Sequence, residues 1–174
     1  LKSNSRKYLN LPQDAFVVMG CGTVYWRKGP DIFLETALQV TKKIKNSYFI
    51  WIGSGPDIEL LSKKIPSAFS DRIVFIGAKN NANELVAAAD IFFLPSREDP
   101  FPLVVMEAAQ HSVPTICFGD CTGVTSFIKE DAGFILPTND GQNATHLIVE
   151  LSKNNILVKD KGTVARERVI KGLT

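Results

Sequence analysis

Six short apolar runs constrain this chain more than any other feature. They fall at residues 16–21, 48–52, 73–76, 91–94, 115–118 and 134–136, and a helical stretch separates each from the next. Each is too short for a core helix and is rich in Val, Ile or Phe, so each reads as a strand buried on both faces. Between them, residues 31–45 place Ile32, Phe33, Ala37, Val40 and Ile44 on one side of a helix. Further helices are expected over 57–65, 82–89, 102–111, 122–129 and 143–153, and from there to Thr174. Residues 1–15 read as an opening helix and a turn. Strands alternating with helices over short loops predict a parallel sheet with right-handed crossovers. The fold class is therefore α/β: a doubly wound, Rossmann-like parallel sheet of about six strands with helices on both faces.

Residues 89–113 organise the rest. A strand ends at Leu94, a loop of Pro, Ser and charged residues follows, and then comes an apolar helix with one acid, Glu107. Pro102 suits the first helical position, because its missing N–H has no intrahelical partner there. Glu98 and Asp99 stand just before it, where the helix dipole favours negative charge. Leu103, Val104, Val105, Met106, Ala108 and Ala109 surround Glu107, which predicts a helix buried on most faces. A lone carboxylate in such a helix is costly unless something polar meets it. Helical side chains lean toward the N-terminus, and five residues of rise is roughly 7.5 Å, so Glu107 reaches toward the loop holding Asp99. In an open α/β sheet that mouth is where ligands bind. The plainer reading keeps Glu98 and Asp99 as helix-capping acids and Glu107 as a solvated side chain.

A second segment, residues 20–37, is a strand, a Gly-bearing loop with the adjacent cations Arg27 and Lys28, and a helix. Loop N–H groups and cations in that arrangement can hold a diphosphate. Gly20-Cys21-Gly22 and Gly53-Ser54-Gly55 each begin a GxGxxG pattern, but Tyr25 and Ile58 stand where the third Gly belongs. No acid ends the next strand as a ribose ligand, which argues against a nicotinamide-dependent enzyme.

Length allows one domain, 1–174, with a real core. A net charge of +2 argues against a dedicated nucleic-acid binder. Lys42, Lys43, Lys45, Lys63 and Lys64 read as solvated helix faces. Cys21, Cys117 and Cys121 lack metal-ligand spacing; Cys21 and Cys117 read as small core residues, which suits a reducing cytosol. The sequence carries no signal peptide and no long apolar span, so the expected location is cytoplasmic. His111 and His146 take no role. The start without Met marks the expected chain as an excised piece of a longer one.

Residues 95–116, PSREDPFPLVVMEAAQHSVPTI, resemble the PS-x-x-EPFGLVxLEAMAxGxPVI segment of the retaining, two-domain (GT-B type) glycosyltransferases of the family-four, or group-one, type. Asp99 and Glu107 match that family's E-x7-E signature. Residues 20–37 resemble its GR-x4-KGxDLLIEA segment, residues 52–61 its xGxGPxxxxL turn, and residues 74–85 its VxFxGxxxxxEL segment. Together the likeness runs from about residue 11 to 153 and covers the C-terminal half of the two-domain enzyme.

What the resemblance implies is specific. A nucleoside-diphosphate sugar is the donor, with no cofactor and no metal. Glu107 holds the ribose hydroxyls and Asp99 the donor sugar. Lys28, with Arg27 beside it, grips the phosphates. Gly22, Thr23, Gly53, Phe101, Leu103 and Val104 line the donor, and Gly77, Ala78 and Lys79 read the base. An acceptor glycan or lipid-linked sugar sits on the other half, in polysaccharide biosynthesis, with peripheral membrane association of the intact enzyme and no nucleic acid. Transfer goes with retention, and this half alone binds without turnover.

Four positions depart outright from the family pattern. Thr23 stands for its Arg, Pro102 for its Gly, and Thr125-Ser126 for its Pro-Glu. Asp99 for Glu shortens that reach by one methylene. A nucleotide-sugar epimerase-like domain, a glycogen- or sucrose-synthase-like transferase and a non-catalytic binding module of the same fold remain as alternatives.

Overall fold

The computed structural model describes residues 1–137 and 140–172. Its strands are β1 (Phe16–Cys21), β2 (Ser47–Ile52), β3 (Ile73–Phe75), β4 (Ile91–Leu94), β5 (Thr115–Phe118) and β6 (Gly133–Leu136). Among the described residues they form one sheet, ordered β3-β2-β1-β4-β5-β6, with parallel pairing throughout. The helices are α1 (Lys2–Tyr8), α2 (Pro30–Lys43), α3 (Ile58–Ser62), α4 (Ala82–Val86), α5 (Leu103–Gln110), α6 (Thr125–Ile128), α7 (Gly141–Leu151) and α8 (Asn155–Gly172). The expected doubly wound α/β fold is the observed one.

The strands have helices on both faces because neighbouring residues point opposite ways. Val17 and Met19 pack with Phe92, Leu94, Val105 and Ala108, toward α5. Val18 packs with Phe33, Phe49, Trp51 and Phe93, toward α2 and α7. That second face is aromatic: the Phe33 ring lies 5.6 Å from Phe49, 5.2 Å from Trp51 and 6.2 Å from Phe93. α8 closes the other face against α5 through Ala109, Ala165 and Val169.

Several helix boundaries differ from the sequence expectation. α3, α4 and α6 are shorter than expected, since periodicity in a short window does not mark where a turn ends. α2 begins one residue early, with Pro30 at its start, and stops at Lys43 because Ile44 turns extended toward β2. The last helix runs to Gly172; residues 173–174 lie outside the described residues. Pro102 is the residue before α5, with ψ 117, and Leu103 is the first helical one. The ring fixes φ but leaves ψ to the packing of this buried proline.

The expectation that α5 is buried on most faces is corrected. Val105, Ala108 and Ala109 are buried, but Leu103 is 71% exposed, Gln110 is exposed and Glu107 is half-buried. Apolar composition shows that a helix can be covered all round, not that it is. Here one stripe covers the sheet and the opposite stripe stays open.

Candidate functional site

The winding of the sheet reverses between β1 and β4, which are neighbours in space though far apart in sequence. At such a switch point the loops leaving the two strands part and open a crevice at the strand ends. Those loops are residues 22–29 and 95–102.

Lys28 closes a single 3-10 turn, Trp26–Lys28, and Gly29 follows in the left-handed region at φ 70. A Cβ on Gly29 would stand 2.1 Å from the carbonyl oxygen of Pro95, so only glycine lets the two loops touch. The stem of Lys28 lies across Gly22, where a Cβ would meet its Cδ at 3.4 Å. Its Nζ donates to Asp99 Oδ2 at 2.5 Å. Asp99 is only 6% exposed. Its amide donates to the Cys121 carbonyl at 2.9 Å, and Ser96 Oγ donates to its carboxylate at 3.3 Å. The structure thus joins two residues singled out in separate segments, and the acid expected to face a sugar gives an oxygen to the lysine.

Glu107 sits one helical turn into α5 and leans toward the same mouth. Among the described residues it accepts no hydrogen bond and forms no ion pair. Its charge is felt at Cys21, the last residue of β1. Burial first, and then the Glu107 carboxylate, pushes that thiol up to about 11, while Lys28 pulls it down. Glu107 and Lys28 are thus both within electrostatic range of the end of β1, and Lys28 is set there by its stem across Gly22. The Cys21 side chain is half-buried, whereas Cys117 is fully buried as expected, with burial pushing its thiol up to about 12.

The remaining candidates spread along the same edge. Gly22 donates its amide to the Ile52 carbonyl and Gly53 donates to the Gly77 carbonyl, each at 2.9 Å. These contacts make a continuous backbone ledge across β1, β2 and β3. Ala78 donates to Ser54 Oγ at 3.1 Å, and both Ala78 and Lys79 are exposed beyond it. Two strand spacings, roughly 10 Å, separate that outer end from β1. Thr23 is exposed on the β1 side; Phe101 is 48% exposed and Val104 half-buried on the β4 side. The amides of Leu103 and Val104 belong to the first turn of α5, where no intrahelical acceptor exists.

Arg27 is bonded to its neighbours in the two loops. Its Nε donates to the Tyr25 hydroxyl and its Nη1 to the Glu98 carbonyl at 2.9 Å. Ser126, which replaces an acid of the family pattern, lies in α6 and donates to the Gly123 carbonyl just before that helix at 3.1 Å. Lys42, Lys43, Lys45, Lys63 and Lys64 are exposed, and His111 caps the end of α5 beside Asn83.

Sequence reasoning missed Ser96, Arg97 and Asp31. Arg97 makes two bonds to the Asp31 carboxylate, at 2.8 and 2.7 Å, and a third to the Trp26 carbonyl at 2.7 Å. Asp31 had a signal, an acid in the first turn of a helix, but its partner lies 66 residues on.

A cation, first-turn amides at a helix dipole and an unpaired carboxylate suit a ligand that carries an anion next to hydroxyl groups. Among the described residues no cluster of His, Cys, Asp and Glu could hold a metal ion, and no helix is long and apolar enough to cross a membrane.

The sequence model of the family described as "Glycosyl transferases group 1" matches residues 15–154. The chain is 26% identical over 156 residues to the UDP-Gal:alpha-D-GlcNAc-diphosphoundecaprenol alpha-1,3-galactosyltransferase of Escherichia coli, covering 87% of this chain and 40% of that protein. Its structure is similar, with a TM-score of 0.86 and 19% identity, to the C-terminal domain of a glycosyl transferase group 1 family protein (LpcC) from Francisella tularensis, covering 100% of this chain and 93% of that one. It is similar to the same degree, TM-score 0.86 and 19% identity, to HepE of Anabaena in complex with UDP and glucose, covering 97% of this chain and 47% of that one.

Proposed function

The chain belongs to the group 1 glycosyl transferases, and on that premise we propose that its switch-point crevice binds a nucleoside-diphosphate sugar. The whole enzyme would pass the glycosyl group to an acceptor hydroxyl with retention of configuration. This chain would be the donor-binding half, and a second domain would supply most contacts to an acceptor glycan or lipid-linked sugar. The observation that carries the reading is Lys28, laid across Gly22 and bonded to the buried Asp99 where β1 and β4 part, with the Glu107 carboxylate in electrostatic range of the same strand end. The base lies over the ledge at Gly53 and Gly77, and Glu107 accepts from the ribose hydroxyls. The diphosphate meets Lys28 and the Leu103 and Val104 amides, where positive charge offsets the charge growing on the leaving group. No metal takes part in this scheme. Asp99 and Glu107 position the donor rather than react with it.

The test is a calorimetric panel of UDP, GDP, ADP and their sugar conjugates on this chain. A UDP-sugar leads the panel because one relative's name carries UDP-Gal and one similar structure holds UDP and glucose. Saturable binding of one base, with no sugar transfer by the chain alone, is the expected result. A second reading rests on the Lys28–Asp99 pair, which already satisfies the cation. In it the chain is a module of the same fold that no longer takes a donor, and a panel with no heat from any nucleotide supports it.

A further inference from the structure

The loop that carries Lys28 is held from outside. Residues 22–29 have one short 3-10 turn of their own. The segment after β2 holds the loop's near half, where the Val24 amide donates to the Ser54 carbonyl at 3.0 Å, and Arg97, on the loop after β4, holds the far half. Its amide donates to the Arg27 carbonyl at 2.8 Å and its guanidinium to the Trp26 carbonyl at 2.7 Å. The same guanidinium lies 5.0 Å from the centre of the Trp26 ring and grips both oxygens of Asp31. Asp31 stands in the first turn of α2, so the far end of the clasp is a helix packed on the sheet. A planar fork bonded twice to one carboxylate, with a ring against its face, has one orientation. The contact leaves its mark on both partners: it raises the Arg97 guanidinium and lowers the Asp31 carboxyl from their ordinary values.

This pair is poorly placed to stabilise the fold. Its side chains are 19% and 47% exposed, and ion pairs in such settings add little stability. What it does fix is position, since both carbonyls it touches or neighbours belong to the turn that ends in Lys28. We propose that Arg97 and Asp31 are positioning residues for Lys28, locking residues 26–28 against residues 95–99 so that the ammonium meets a donor diphosphate at one place. The proposal rests on the donor-site reading above for what Lys28 meets, but not for how Lys28 is held.

Arg97→Gln and Asp31→Asn break the clasp, and Asp31→Glu keeps its charge. The first measurement needs no ligand: proton–carbon correlation spectra of the chain with labelled lysine. In the wild type and Asp31→Glu the two Hε protons of Lys28 are expected to differ. In both breaking variants they merge at the position of a solvated lysine, while circular dichroism reports an intact fold. The second measurement titrates UDP, GDP and ADP against their monophosphates. Breaking the clasp weakens the best diphosphate about tenfold and leaves its monophosphate within about twofold. In a Lys28→Met background, Arg97→Gln adds no further loss, because the effect passes through the missing ammonium. A Lys28 signal unchanged in both breaking variants overturns the proposal. So does an equal loss for monophosphate and diphosphate, or a full loss in the Lys28→Met background. If no diphosphate binds the wild type, the donor-site reading fails, and the spectra still decide the clasp.

Discussion

Asp90 and Glu107 are carboxylates at opposite ends of one sheet, and their surroundings differ in kind. Asp90 stands at the entrance to β4. It accepts from Arg6 at 2.9 Å, from Lys2 at 2.6 Å and from the Val17 amide at 2.8 Å. Arg6, 3% exposed, also donates to the carbonyls of Gln13, Ala15 and Ala88, which ties α1 to the sheet. Glu107, at the other end, has none of this among the described residues. A polar group whose bonds are all made joins one part of the chain to another. A half-buried one with no protein partner is open to water or to a ligand. Asp99 differs from both: it is buried more deeply than either and is held by one lysine and one serine.

Three substitutions test that contrast. The largest effect is expected from Arg6→Ala, which takes one of three donors from Asp90 and the arginine donor from three carbonyls. Urea unfolding should show a loss of about 3–5 kcal/mol, with nucleotide affinity of the folded fraction unchanged. A loss under about 1 kcal/mol would mean the N-terminal network is ornamental and the contrast misplaced. Glu107→Ala should do the reverse. Stability should stay within about 0.5 kcal/mol, as for a surface change. Calorimetry should record nucleotide binding weakened by about 1–3 kcal/mol. Unchanged affinity would remove the ribose role.

The smallest effect belongs to Asp31→Asn. Hydrogen bonding from Arg97 holds the Asp31 carboxyl below its ordinary value of 3.8 in the folded chain. A depressed carboxyl contributes stability above its unfolded value and loses it as pH falls through the folded one. Wild type should therefore exceed the variant by less than about 1 kcal/mol at neutral pH, discounted for the exposure of the side chain. Unfolding midpoints should converge as acid is added below 3.8. A gap that widens in acid would contradict the assignment of the Arg97–Asp31 bond.

Much of the fold could be read in advance because it depends on local pattern. The apolar runs at 16–21, 91–94 and 115–118 are strands at those bounds. Glu107 was legible as well, since an acid amid Val, Met and Ala is conspicuous wherever the helix lies. The open stripe of α5 was not legible. Leu103 is as apolar as Val105, and only the position of the sheet decides that one is covered and the other 71% exposed. Asp99 was legible as an acid before a helix, but its partner was not, because Lys28 is 71 residues away. Arg97 went unremarked for the same reason.

The sequence by itself determined which segments could be strands, which helices could cover them, and which charged residues stand at strand ends. Those choices follow from hydrophobic spacing and backbone preference, which act over a few residues. The tertiary structure alone decided that β4 lies beside β1. That neighbour relation brings residues 95–102 against residues 22–29, pairs Lys28 with Asp99 and Arg97 with Asp31, and leaves the Glu107 carboxylate without a partner among the described residues. Ion pairs act over a few ångströms, so which of them form depends on which loops the sheet order brings together.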